Sequence, residues 1–400
     1  AAVGMHGARR HSTRSGISFA KGESLMVRKR FAVVAAALTL LALVSISAVG
    51  APKEIRIAVC GPMTGDYAQY GQSFKRGSEL MAKLVNEAGG VNGAKIKIEI
   101  MDDKNEQKEG INVAQRLVSD KGIVAVVGHF ASGVCLATAP VYQRGGLVQA
   151  SPTSSHPDFT KQGTYMFRNC NTQEVEGPAG AEFIINQMGK KNIAVIYINN
   201  DWGLTAKDCF VKGVKDRGGR IVAAEPFIGG QTRDFTPMLT KINAAKPDII
   251  YLAAMYADAG MIAQQLKRLG YGIEMFGNSS VYNQMFIDLA GSAVDDVFLT
   301  ASFFAEEPAP EVQTFVSSFK KEYGIIPDQF AALAYDTTGV VIEALKVSGP
   351  DRAKLRDALA HIKDYPGVTG NTTFDENRDA KKGVLVLKIE NGKFVFHTRV

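Results

Sequence analysis

Short β-branched apolar runs alternate with stretches of helical periodicity along most of this chain, and that alternation restricts its possible folds more than any other feature. The runs occupy residues 55–59, 95–101, 123–127, 147–150, 193–198, 220–224, 248–253, 274–276 and 297–300, mostly bounded by Gly, Pro or Asn. Runs of this length and composition read as strands. Between them, residues 74–85 place apolar side chains three and four apart ahead of Gly89-Gly90. Residues 107–119, 175–188, 204–217, 259–269 and 310–323 keep the same period. Strands alternating with helices predict parallel sheets in an α/β fold. The strands outnumber what one compact sheet holds, so two such α/β lobes are expected. The C-terminal part departs from the alternation. Helical patterns at 329–348 and 352–362 follow one another, and runs at 384–390 and 393–397 flank Asn391-Gly392, a hairpin signal.

Charge is unevenly placed. The chain has 46 Lys and Arg against 40 Asp and Glu, but seven of the bases and one of the acids fall within residues 1–50. The other 350 residues are formally neutral. A nucleic-acid-binding protein concentrates base on its folded part, so no nucleic-acid partner is expected. The basic stretch reads as part of an export signal. From Met26, Arg28-Lys29-Arg30 form a positive n-region, residues 31–46 an apolar run, and Ala48-Val49-Gly50 a small-residue cleavage site before Ala51. A retained anchor is the rival, since the run approaches the roughly 20 residues that span a bilayer, but no stop-transfer charges follow. Residues 1–50 are therefore expected to be an extension plus a signal peptide starting at Met26, with the remainder periplasmic. Export exposes Cys60, Cys135, Cys170 and Cys209 to an oxidising compartment, where they allow three full pairings or stay as buried thiols.

Open parallel sheets bind ligands at the carboxyl ends of their strands. Two strand-to-loop transitions are chemically suited to that. Val127-Gly128-His129-Phe130-Ala131-Ser132-Gly133 leads into a small-residue helix start, where Ser132 can act as a cap and free N–H groups favour an anion. Ser151-Pro152-Thr153-Ser154-Ser155-His156-Pro157 offers hydroxyls on a Pro-flanked loop. Each alone is an ordinary cap or turn; after consecutive strands they make a carboxylate cradle. Other chemistry is sparse. Gly61-Pro-Met-Thr-Gly65 is no dinucleotide fingerprint, no GxxxxGK[ST] loop occurs, and the histidines are scattered without an HExxH or CxxC pair. Asp102-Asp103 closes a strand and reads as a solvated turn. No cofactor, metal or catalytic group is expected, and the chain is not read as an enzyme.

The order of the segments Ile55-Arg-Ile-Ala-Val-Cys-Gly-Pro-Met-Thr-Gly65, Ala68-Gln-Tyr-Gly71, Asn86-Glu-Ala-Gly-Gly-Val-Asn-Gly93, Val127-Gly-His129, Asn200-Asp-Trp-Gly203, Phe330-Ala-Ala-Leu-Ala-Tyr-Asp336 and Gly370-Asn-Thr-Thr-Phe-Asp375 resembles the leucine/isoleucine/valine-binding protein family. The resemblance implies a type I periplasmic-binding-protein fold whose two lobes are joined by three hinge crossovers, near Gln173, Ser302 and Lys382, and close on a ligand. Lobe 1 would comprise residues 51–173 and 303–382, and lobe 2 residues 174–302 and 383–400. It further implies a monomeric solute-binding subunit that hands a small molecule to an inner-membrane ABC permease. The alternative is a ligand-binding sensor of a signalling system.

Carried over residue by residue, the resemblance makes Ser132 and Ser155 the hydroxyl pair for a ligand carboxylate, with backbone near Ser132 and Thr153 assisting. Tyr70 and Trp202 fall where the family sets aromatic rings, and Phe303 is a candidate for the side-chain pocket. Two positions depart from the pattern. Where amino-acid binders hold the ligand ammonium with carboxylates, this chain has Gln173 and Ser279, and the usual aromatic position is Met255 with Tyr256 adjacent. Asp258 or Glu174 are the substitutes nearest in sequence. A buried ammonium without a counter-charge costs several kcal/mol, so branched-chain or aliphatic amino acids and amine-free aromatic or keto acids stand side by side as expected ligands.

Overall fold

The computed structural model describes residues 54–400; the extension, signal peptide and Met26 start expected from the sequence lie outside the described residues. The first sheet holds β1 (Glu54–Gly61), β2 (Lys95–Asp102), β3 (Ile123–Val127), β4 (Val148–Ser151) and β5 (Met166–Arg168), all parallel in the order β2-β1-β3-β4-β5. The second holds β6 (Asn192–Ile198), β7 (Arg220–Phe227), β8 (Ile249–Ala253), β9 (Glu274–Gly277), β10 (Phe298–Ala301), β11 (Leu385–Glu390) and β12 (Lys393–Arg399) in the order β12-β11-β10-β9-β8-β6-β7. In it β6 to β10 are parallel, and β11 runs antiparallel to β10 and β12. These are the two parallel-sheet α/β lobes that the alternation predicts.

Burial follows from position. The central strands β3 (IVAVV) and β8 (IIYLA) are buried at every residue, as strands covered on both faces must be. The edge strand β12 is largely exposed. The helices α1 (Ala68–Glu87), α2 (Gln107–Ser119) and α3 (Ser132–Gly145) connect strands of the first sheet. The second sheet carries α4 (Gln173–Glu182), α5 (Asp201–Asp216), α6 (Thr236–Ala244), α7 (Tyr256–Leu269) and α8 (Gln284–Ala290). After β10 come α9 (Pro310–Tyr323), α10 (Gln329–Ser348) and α11 (Arg352–Ala360). Among the described residues no helix is long and apolar enough to cross a membrane. Helix α10 packs along α1 so closely that a Cβ on Gly77 would lie 2.1 Å from the Ala331 carbonyl oxygen. That contact fixes the N-terminus of α10, which reaches the cleft. The sequence pattern does not mark β5, α6 or α8; with three, nine and seven residues they are too short to show a period.

The chain crosses between the sheets after β5, after β10 and ahead of β11. Two of these passages are tied reciprocally: Asn171 Nδ2 donates to the Lys382 carbonyl (3.0 Å), and Lys382 N donates to Asn171 Oδ1 (2.9 Å). Lys382 Nζ donates to Thr372 Oγ1 (2.7 Å), whose hydroxyl donates to Asn169 Oδ1 (2.9 Å). Burial lowers the Lys382 pKa, with Asp336 opposing the shift. Satisfied buried networks of this kind specify one geometry. The cysteines are free, with Cys60, Cys135 and Cys170 buried.

Candidate functional site

The strand ends of both sheets converge on a cleft between the lobes, with a cavity of about 60 Å³. One water occupies roughly 10–15 Å³ of such space, so the cavity suits a small organic molecule. The starts of α3, α4, α5 and α10 reach it through Ser132, Gln173, Trp202 and Gln329. Helix N-termini carry unpaired N–H groups and partial positive charge, so the cavity favours an anion.

The first-lobe wall is built from the two loops singled out in the sequence. Ser132 does not cap α3. Ala131 occupies the N-cap without a side-chain bond, and Ser132 Oγ, 2% exposed, has no partner. A buried hydroxyl left free costs about 1–3 kcal/mol, which a ligand oxygen would recover. The loop after β4 is held beneath it: Ser151 Oγ donates to the His129 carbonyl (2.9 Å) and Thr153 Oγ1 to the Phe130 carbonyl (2.9 Å). The Asp103 side of the expected solvated turn is in fact buried, with Oδ2 2.6 Å from His129 Nδ1 and His129 Nε2 3.0 Å from the Tyr142 hydroxyl. It braces the same loop from below.

The second-lobe wall holds the group that sequence reasoning missed. Glu176, 7% exposed, lines the cavity. Its Oε1 accepts from Ser279 N (2.7 Å) and Thr300 Oγ1 (2.6 Å), and its Oε2 accepts from Gln173 Nε2 (3.0 Å). The same Gln173 nitrogen donates to Ser155 Oγ (3.0 Å), which uses both amide protons and leaves Gln173 Oε1 buried without a partner. The amide is oriented by the carboxylate, which accepts and cannot donate. The cavity is thus lined by one residue with an unpartnered acceptor, on an amide backed by a carboxylate, and one with an unpartnered hydroxyl. Glu174 is exposed, and Asp258 accepts from the Tyr67 hydroxyl and Gly230 N and lies outside the cavity lining, so neither serves as the expected substitute. Glu176 was traceable: it follows Gln173 by three residues, on the same face of a helix.

Ser132, Thr153, Ser155, Gln173, Trp202, Met255 and Ser279 all line the cavity. Tyr70, Tyr256 and Phe303 do not. Phe303 packs on Phe315 with ring centroids 5.9 Å apart, because the chain has already turned back toward the first lobe. Tyr70 and Tyr256 lie where the lobes touch, with rings 4.8 Å apart. The apolar surface comes instead from Phe130, Phe330 and Leu333, beside Trp202 and Met255. Cys170 also lines the cavity, but burial pushes its thiol up to about 12, so it stays protonated.

A family model described as periplasmic binding protein matches residues 54–393. The chain belongs to that family. Among its relatives, the Leu/Ile/Val-binding protein homolog 1 of Brucella suis is 29% identical over 344 residues, covering 85% of this chain and 91% of that protein. The branched-chain amino acid transporter substrate-binding protein LivJ of Streptococcus pneumoniae, solved with isoleucine, superposes with a TM-score of 0.83 at 27% identity, covering 87% of this chain and 99% of that one. A solute-binding protein of an ABC transporter from R. palustris, solved with benzoate, superposes with a TM-score of 0.80 at 21% identity over 86% and 96% of the two chains, a likeness of fold. The chain is accordingly a periplasmic binding protein, similar to substrate-binding proteins of the branched-chain amino acid ABC transporter type.

Proposed function

We propose that the protein binds an α-amino acid with an apolar side chain and delivers it unchanged to an ABC permease in the inner membrane, acting as an exported monomer in the periplasm. Lobe 1 is taken as residues 51–173 and 303–382, and lobe 2 as 174–302 and 383–400. The carboxylate of the ligand lies against Ser132, Ser155 and the N-terminus of α3. Its ammonium lies against Gln173 Oε1, with Glu176 as the counter-charge behind it. Its side chain packs among Trp202, Met255 and Phe330. The observation that carries this reading is the unpartnered oxygen of Gln173, a cavity-lining residue whose amide nitrogen is bonded to Glu176. It supplies the ammonium half of the site that Gln173 and Ser279, taken as sequence positions, do not. The isoleucine in the pneumococcal relative and the name of the Brucella relative point the same way.

A thermal-shift series tests it, because ligand at 100 times its Kd adds about 2.7 kcal/mol of stability. Leucine and isoleucine are expected to raise the melting temperature at concentrations where 4-methyl-2-oxopentanoate and benzoate do not. Equal shifts from the keto acid would remove the amine from the proposal.

A further inference from the structure

We propose that Tyr67, Tyr70 and Asp258 form a clasp that sets ligand affinity by holding the lobes together, without touching the ligand. Tyr70, fully buried, stands on α1 of the first lobe with its ring 4.1 Å from Phe130 and 4.7 Å from Phe330. Its hydroxyl donates to the Ser280 carbonyl (2.7 Å) and accepts from Tyr256 N (3.0 Å), both on the second lobe. Tyr67 donates to Asp258 Oδ2 (2.8 Å), and the other oxygen of this fully buried carboxyl accepts from Gly230 N (3.0 Å). Tyr256 returns a bond from the second lobe to the Asp66 carbonyl (2.8 Å). None of Tyr67, Tyr70, Tyr256 or Asp258 lines the cavity.

These bonds exist only while the lobes touch, and in a parted form water replaces them. The exposed Asp66–Arg233 pair at 2.8 Å adds little, being screened by solvent. Burial raises the pKa of Asp258 and of both Tyr67 and Tyr70, so the phenols remain donors. Because apparent affinity scales with the fraction of molecules in the binding-competent state, loosening the clasp weakens every ligand by one common factor. Residues that touch the ligand instead change the ratio between ligands. The Tyr70 ring also links the two functions, since Phe130, on which it stacks, and Phe330, which it meets edge-on, both line the cavity.

The inference rests on the amino-acid reading only for the choice of probe. The test uses Tyr67→Phe and Tyr70→Phe, which keep the rings. Kd and dissociation rate are measured for leucine and valine, together with the ligand-free melting temperature and small-angle scattering of the full chain. Each variant is expected to raise both Kd values about tenfold, with faster dissociation and an unchanged leucine-to-valine ratio. The ligand-free melting temperature should stay put while the ligand-free radius of gyration rises. A changed ratio would place the tyrosines in the ligand pocket and overturn the clasp, as would unchanged Kd and scattering. If the unaltered protein binds neither amino acid, the reading of the ligand fails, and the scattering comparison alone decides the clasp: a larger radius in the variants upholds it, an equal one overturns it.

Discussion

The two walls of the cleft are made by different means. The first-lobe wall is local: residues 129–132 and 151–155 sit on loops after adjacent strands of one sheet and are bonded directly to each other. The second-lobe wall is assembled from distant positions, with Glu176 bonded to Ser279 and to Thr300, 124 residues away. A local wall leaves its trace in a short motif of Gly, Ser and Pro. A wall built by tertiary contact leaves only a Glu in the first turn of a helix, where an acid is expected anyway to offset the dipole. In the proposed binding mode the difference also divides the ligand's charges, the anion to the local wall and the cation to the assembled one.

That division breaks most readily at Glu176. Glu176→Gln is expected to weaken amino-acid binding about 100-fold, roughly 2.7 kcal/mol, while a keto acid with the same side chain changes less than about threefold. Calorimetric titration with the pair reads both values. Equal losses for the two ligands would mean that the walls do not sort the charges.

The local wall depends on its backbone as much as on its hydroxyls. Gly128 has φ +139°, and a Cβ there would lie 2.3 Å from the Cys60 carbonyl oxygen. Gly128→Ala is therefore expected to destabilise the fold by about 2 kcal/mol, seen as a melting temperature lower by several degrees. Ser132→Ala should do the reverse of this. Its hydroxyl has no partner to lose, so the ligand-free melting temperature should hold. Binding should weaken about tenfold, equally for the amino acid and the keto acid. A loss confined to the amino acid would move Ser132 to the cationic end.

The same contrast decides what was legible in the sequence. The central strands of both sheets were readable because strands covered on both faces must be apolar throughout, as 123–127 and 249–253 are. The loops carrying Ser132 and Ser155 were readable because they follow such strands. Tyr70, Tyr256 and Phe303 were assigned to the ligand from motif position alone. Whether an aromatic ring faces a cavity or a lobe–lobe contact is set by how two lobes meet, and no local pattern records it. Asp103 was misread for a related reason: its partner His129 lies 26 residues on, and only the sheet brings them together.

The smallest expected effect lies at the rim, where the walls come nearest in charge. His156 follows the Ser151–Ser155 loop and is half-buried, and its pKa is lowered from the ordinary 6.5, burial outweighing the attraction of Asp158 and of Asp201 on the opposite lobe. Arg168 and Lys161 push the same way as burial. The folded protein thus holds this proton less tightly than the unfolded chain does. Between the lowered value and 6.5 the unfolded state binds more protons, so stability rises with pH through that window and is complete above it. His156→Gln should remove this dependence. Melting temperatures at pH 5, 6 and 7.5 should differ between the two proteins only at the acid end, the unaltered protein losing more. Because the imidazole is partly solvated, the difference should be a small one. An unaltered protein that instead gained stability over the variant at the acid end would mean that the pull of Asp201 across the cleft outweighs burial, and that charge couples the two walls at their rim.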